Sequence, residues 1–203
     1  MHKPGQEDCM AIPYGGINRV ALVARDMAET VDFYTRVLEM PLVKTIALSD
    51  GGQHFFFDTG NGGTISFLWF PDAPKVAPGI ASVVVTPQNG AGHSAVGSMN
   101  HLALTIPLEK FDEYAERLRG RGIANLKVTY HNHDPYPPGT SEQTPTTWVK
   151  SMYFPDPNGV RMEFAAYTRA FTAQDAALAP NDASGKPVKM KIYKKLPETE
   201  PAE

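Results

Sequence analysis

One stretch of this chain occurs twice. Ile17-Asn18-Arg19-Val20-Ala21-Leu22 stands opposite Met99-Asn100-His101-Leu102-Ala103-Leu104, with Asn, Ala and Leu identical at an offset of 82 residues. Each copy opens the same order of elements. After the first, a strand over Ile17 to Ala24, Asp26 reads as an N-cap for a helix through about Glu39. Met27, Val31, Tyr34 and Leu38 lie near helical spacing, and Pro41 stops it. Leu42 to Leu48, His54 to Asp58 and Thr64 to Phe70 then read as strands, parted by Ser-Asp-Gly-Gly and Gly-Asn-Gly-Gly. After the second copy, a strand over Asn100 to Ile106, a helix is expected over Leu108 to Arg119, with Phe111, Tyr114, Ala115 and Leu118 inward. Lys127 to Tyr130 begins another strand, and Trp148 to Phe154 with Val160 to Ala166 form a hairpin around Pro-Asp-Pro-Asn-Gly. Two copies of one supersecondary unit rarely bury their sheets separately. The fold expected is therefore α+β: two β-α-β-β-β modules, 17–70 and 99–168, forming an open barrel with a central cavity. An N-terminal arm (1–16), a Pro/Gly-rich connector (71–98) and a tail (169–203) complete the division. Short strands are expected at 83–85 and 189–193.

Composition narrows the partners. With 42% hydrophobic and 20% charged residues the chain is an ordinary globular one, not a disordered one. A net charge of −3 without a basic stripe argues against nucleic acid. The single cysteine, Cys9 in a polar leader, excludes an intrachain disulfide framework and any cysteine-only metal cluster. No apolar run approaches the ~18 residues of a membrane span, and the first residues lack a signal-peptide stretch, so a cytoplasmic protein away from membranes is expected. The sheet edges each module leaves to be covered predict a homodimer.

Three motifs carry a resemblance. They are Asp26-Met27 followed by Phe33-Tyr34 and Leu38; Asn100-His101-Leu102-Ala103-Leu104; and Tyr153 followed by Pro155-Asp156-Pro157-Asn158-Gly159 and Glu163. Together, over roughly 17–168, they resemble the vicinal-oxygen-chelate superfamily of glyoxalases, bleomycin-resistance proteins and type I extradiol dioxygenases. The resemblance implies that His101 and Glu163 are metal ligands. Imidazole plus carboxylate is two-thirds of the facial triad that leaves positions open on iron(II), with manganese or zinc as other candidates. On alternation His101 shares a face with Ala103 and Thr105, and Glu163 with Arg161 and Ala165. Without the resemblance the same two residues read as hydrogen-bonded cavity groups. Tyr153 is similar to the extradiol tyrosine that hydrogen-bonds a catecholate oxygen.

The departures from the family pattern are as informative. The first-module histidine falls on Arg19, which cannot ligate a metal. The glyoxalase-type carboxylate falls near Ser66, the extradiol acid–base histidine on Gly62 or Gly63, and a further substrate histidine near Thr144. His54, fixed by a strand beside Phe56 and Asp58, is the candidate to complete the site as a catalytic group. His131 and His133 read as loop histidines, and His93 has no supporting pattern. Two readings follow. In one, the chain is an extradiol-like, metal-dependent enzyme acting on a catechol-type aromatic, with Tyr153 and His54 catalytic and Arg19 and Phe56 binding substrate. In the other, it is a metal-free binding protein of the bleomycin-resistance kind, in which Arg19 lies beside Glu163 and replaces the ion. A glyoxalase-like isomerase or lyase is a weaker third, since Ser66 cannot replace a basic carboxylate. A small aromatic ligand suits the supply of rings, Phe55, Phe56, Phe57, Phe67, Trp69, Phe70 and Tyr153.

Overall fold

The computed structural model describes residues 15–49, 51–75, 96–124, 126–133, 135–172, 175 and 179–189. The strand expected at 83–85, nearly all of that expected at 189–193, and Cys9 and His93 lie outside these residues.

The duplicated order appears as two sheets. The first module runs β1 (Arg19–Val23), α1 (Met27–Asp32), β2 (Leu42–Ala47), β3 (Gln53–Gly60) and β4 (Gly63–Trp69), with sheet order β1-β4-β3-β2. The second runs β5 (Leu102–Thr105), α2 (Phe111–Gly120), β6 (Lys127–Asn132), β7 (Gly139–Thr140), β8 (Thr147–Pro155) and β9 (Arg161–Tyr167), ordered β5-β9-β8-β6-β7. In both, the opening strand pairs parallel with the closing one and the rest are antiparallel. Strand register makes the duplication quantitative. Ala21 pairs with Ser66 and Ser66 with Phe56, while Ala103 pairs with Glu163 and Glu163 with Tyr153. The rows Ala21-Ser66-Phe56 and Ala103-Glu163-Tyr153 are thus equivalent. Both sheets are open, and no ladder among the described residues closes them into a barrel.

The first helix departs from the expected single α-helix. Asp26 does cap it, its side chain accepting from the Glu29 N–H at 3.0 Å, but Phe33–Val37 winds as a π-helical turn, with the Leu38 N–H on the Phe33 carbonyl. Phe33, Tyr34 and Val37 of this wider turn are all buried. Glu39, at φ 59, then ends the helix in the left-handed region, ahead of Pro41.

One core serves both modules. Tyr34, Phe57, Ile65 and Phe67 of the first and Phe111, Leu118, Phe154 and Met162 of the second are buried in a single cluster. Polar contacts lock the junction. The Tyr34 hydroxyl donates to Asp156 Oδ2 (3.2 Å), the Arg25 N–H to Asn158 Oδ1 (2.8 Å), and Asn158 Nδ2 to Thr30 Oγ1 (3.1 Å). The Pro-Asp-Pro-Asn-Gly hairpin of the second module is therefore fastened to the helix of the first. With the helix-side faces committed to this core, the opposite face of each sheet is left to carry chemistry: Arg19, Ala21 and Val23 of β1, and His101, Ala103 and Thr105 along β5, are exposed.

Candidate active site

The open face of the second sheet gathers five groups. Glu163 sits mid-strand in β9, flanked by Ala103 of β5 and Tyr153 of β8. It is 4% exposed, and both its oxygens meet polar side chains. Its Oε1 accepts from Ser151 Oγ at 2.5 Å, and its Oε2 lies 3.0 Å from His101 Nε2. The other ring nitrogen of His101 donates to Asn100 Oδ1 at 2.8 Å. That bond leaves the Nε2 lone pair facing a carboxylate oxygen, an arrangement of two acceptors that requires a proton or a cation between them. Alternation along β8 puts Tyr153 beside Ser151 on the same face, where its hydroxyl lies 3.0 Å from His131 Nε2. The Tyr153 ring meets His101 edge-on, with centroids 6.0 Å apart, and the Arg161 guanidinium lies 4.3 Å from its centre.

These surroundings set the protonation states. Burial, with the Glu163 charge second, pushes the Tyr153 phenol up to about 12, so it is a firm hydrogen-bond donor at neutral pH. Burial also holds His131 below the ordinary imidazole range, against the opposing pull of Glu163, so its imidazole is neutral and able to accept a proton.

A second group lies on the open face of the first sheet. The Arg19 guanidinium stacks over Phe56 at 5.4 Å, His54 Nε2 lies 3.0 Å from Ser66 Oγ, and the His54 and Phe56 rings are 4.2 Å apart. Burial and the Arg19 charge lower the His54 pKa. The expected site residues therefore separate. His101, Glu163 and Tyr153 come together, whereas His54, Arg19 and Phe56 form a cluster on the other sheet. Arg19 was expected beside Glu163; among the described residues no ion pair joins them, and the guanidinium lies over Phe56 instead. His54 rests on Ser66 and Phe56, and among the described residues it forms no cluster of three metal-ligating side chains with His101 and Glu163. His131, read from sequence as a loop residue, belongs to β6 and to the site. The alternation Lys127, Thr129, His131 carried the signal; ending the strand at Tyr130 concealed it. Ser151 was likewise missed, although it shares the parity of Tyr153. His133 lies elsewhere, 2.9 Å from Asp175.

The donor set fits a divalent ion in part. Ligands at ~2.1 Å on adjacent positions of an octahedral ion are ~3.0 Å apart, the separation seen between His101 Nε2 and Glu163 Oε2. The Nδ1 bond to Asn100 is the outer contact that fixes a ligating imidazole. No third His, Cys, Asp or Glu completes a cluster among the described residues. Remaining positions would fall to water or substrate. No helix among the described residues is long and apolar enough to cross a membrane.

The model of the glyoxalase/bleomycin resistance protein/dioxygenase superfamily matches residues 16–164. Among solved structures, a glyoxylase/bleomycin resistance protein/dioxygenase domain from Frankia sp. EAN1pec is 15% identical with a TM-score of 0.53, covering 77% of this chain and 94% of that one. The fosfomycin resistance protein FosX from Listeria monocytogenes, complexed with Mn(II) and sulfate, is 19% identical with a TM-score of 0.46, covering 75% and 93%. No curated protein matches the chain in sequence.

Proposed function

From the premise that this chain belongs to the glyoxalase/bleomycin resistance protein/dioxygenase superfamily, we propose that it is a divalent-metal-dependent enzyme of the extradiol-like kind, acting on a small catechol-type aromatic. The observation that supports this most is the His101–Glu163 pair, held by Asn100 and Ser151 so that two acceptor atoms face each other 3.0 Å apart beside a tyrosine–histidine pair.

His101 and Glu163 would hold the ion, iron(II) on the chemistry of an imidazole–carboxylate set. Once bound it would supply a seat for two adjacent substrate oxygens and, as iron, the redox chemistry of oxygen insertion. The chain's own residues do the rest. The Tyr153 hydroxyl donates to neutral His131 behind it and accepts from a substrate hydroxyl, so that the substrate's proton moves onto the phenol oxygen as the phenol's own proton moves onto His131 Nε2. Arg161 spreads positive charge over the Tyr153 ring, where negative charge builds as the substrate loses its proton. Ser151 keeps Glu163 Oε1 occupied, so only Oε2 faces the ion.

A second reading has its own support. With two protein donors and no third among the described residues, the face would also serve as a metal-free binding site for a planar ligand, as in bleomycin-resistance proteins. Iron content and turnover distinguish the two. The enzyme reading expects about one iron(II) per chain after anaerobic loading, oxygen-dependent ring cleavage of some member of a catechol panel, and a kcat lowered about 10²–10⁴-fold in Tyr153→Phe. Protein that stays metal-free under loading, cleaves nothing and still binds catechols would overturn it in favour of the binder.

A further inference from the structure

The two junctions between the modules use matching parts and are filled differently. At one, α1 meets the β8–β9 hairpin, and the fully buried Tyr34 ring takes up the space with its hydroxyl on Asp156. At the other, α2 faces Asp58 and Thr59 at the end of β3, and a cavity of about 300 Å³ remains. Its floor is apolar and buried, made by Val37, Ile106, Leu118 and Phe164. Its solvent side carries two guanidiniums, Arg117 and Arg121, both held by the single carboxylate of Glu39. The Glu39 side chain is 47% exposed, and its backbone adopts a left-handed conformation unusual for a residue with a Cβ. An apolar chamber with two cations at its mouth, bridged by an exposed carboxylate on a strained residue, has the chemistry of a seat for an amphipathic acid.

We propose that this cavity is a second ligand site, for a small carboxylic acid with an apolar tail. The acid's carboxylate replaces Glu39 between Arg117 and Arg121, and its tail lies on Leu118 and Phe164. The volume is at the lower end of the ligand pockets of roughly 300–1,000 Å³, which suits an acid of octanoate's size. Of the residues on the His101–Glu163 face, Thr105 reaches the rim of this cavity, while His101, Glu163, Tyr153 and His131 do not line it. The cavity backs directly onto that face, since Leu104 and Phe164 are paired one position along from Ala103 and Glu163.

Titration calorimetry of the full chain with octanoate, and with octanol as its uncharged counterpart, tests this. Octanoate is expected to bind at one equivalent and at least ~10-fold more tightly than octanol, the difference a charge-assisted pair provides. Glu39→Gln removes the competing carboxylate and is expected to tighten octanoate about 5-fold, the combined weight of two exposed ion pairs. Arg117→Ala is expected to weaken octanoate towards the octanol value. Arg121 is left intact because it also donates to the Val37 carbonyl that ends the first helix. Binding should shift the backbone amide resonances of Thr105 and Phe164. Octanoate and octanol binding alike, no octanoate binding to either the native chain or Glu39→Gln, or shifts confined to Tyr153 and His131 would each overturn the proposal. The two comparisons on unaltered protein and on Glu39→Gln stand whether or not Arg117→Ala folds.

Discussion

Replacing Glu163 by Gln separates the structural from the metal-binding role of the pair. The carboxylate is nearly fully buried, with Ser151 Oγ on one oxygen and His101 Nε2 facing the other. Glutamine has the same shape and satisfies the same partners. Its carbonyl accepts from Ser151, and its amide donates to the Nε2 lone pair that the Asn100 bond leaves free. The variant needs neither a proton nor a cation between the side chains and removes a buried charge. The loss expected from removing one member of a buried pair comes from leaving the other unpartnered, and here the amide keeps a hydrogen bond to each partner while the half-buried His101 can be neutral. The metal-free variant is therefore expected to be at least as stable to urea as the native chain. The ion reverses the order. At a free metal concentration 100 times Kd, binding adds about 2.7 kcal/mol, which at ~2–4 °C per kcal/mol for a chain of this size raises the native Tm by about 5–11 °C. Glu163→Gln, lacking an anionic donor, should not rise. Paired thermal melts with and without iron(II) or manganese(II) measure both effects. Equal metal-induced shifts in the two proteins would refute the ligand assignment. A metal-free variant destabilised by more than ~3 kcal/mol would refute the hydrogen-bond argument.

Other expectations follow from particular contacts. Tyr34→Phe removes a hydroxyl from Asp156 Oδ2 but leaves that oxygen the Asn158 amide at 3.3 Å, so urea unfolding should register a loss of only about 1 kcal/mol. His131 is held below its unfolded pKa by burial, so the unfolded chain binds the extra proton first. Stability should therefore fall as pH drops through the ordinary imidazole value of about 6.5, and His131→Gln should flatten that slope in urea midpoints measured from pH 8 to 5. Arg19→His changes a residue that rests on Phe56, on a sheet other than that of Glu163. Anaerobic iron(II) titrations should give equal affinities for the two forms; a 10-fold gain in the variant would mean that Arg19 reaches the metal position after all.

The order of elements was legible because it is written twice and in the common currency of alternation and turn residues. Ile65 and Phe67 against Ser66, or Phe154 against Tyr153, announce strand faces, and Asp26, Pro41 and the Pro-Asp-Pro-Asn-Gly run announce ends. The π-helical turn was not legible, because Phe33, Tyr34 and Val37 suit the buried face of an ordinary α-helix as well as that of a wider turn. Within the site, His101, Glu163 and Tyr153 were readable from the motifs that carry the family resemblance, with alternation along their strands putting them on one face. What did not transfer was distance between modules. A repeat says which positions are equivalent, and says nothing of whether equivalent faces look towards each other, which is why Arg19 was expected beside Glu163.

Equivalence by register also bears on why the cation is proposed for one face and not for the other. Ser66 occupies in the first sheet the row that Glu163 occupies in the second, and Arg19 stands at the repeat position of His101. The two replacements are chemically consistent. A guanidinium at the ligand position repels a divalent ion, and a neutral hydroxyl in place of the carboxylate gives such an ion nothing to bind. Arg19 instead lies on the π-face of Phe56, the counterpart of Tyr153, and Ser66 takes the ring nitrogen of His54. The first face has thus become an aromatic surface with a fixed positive charge. The second keeps an anionic pocket beside a phenol and a neutral imidazole.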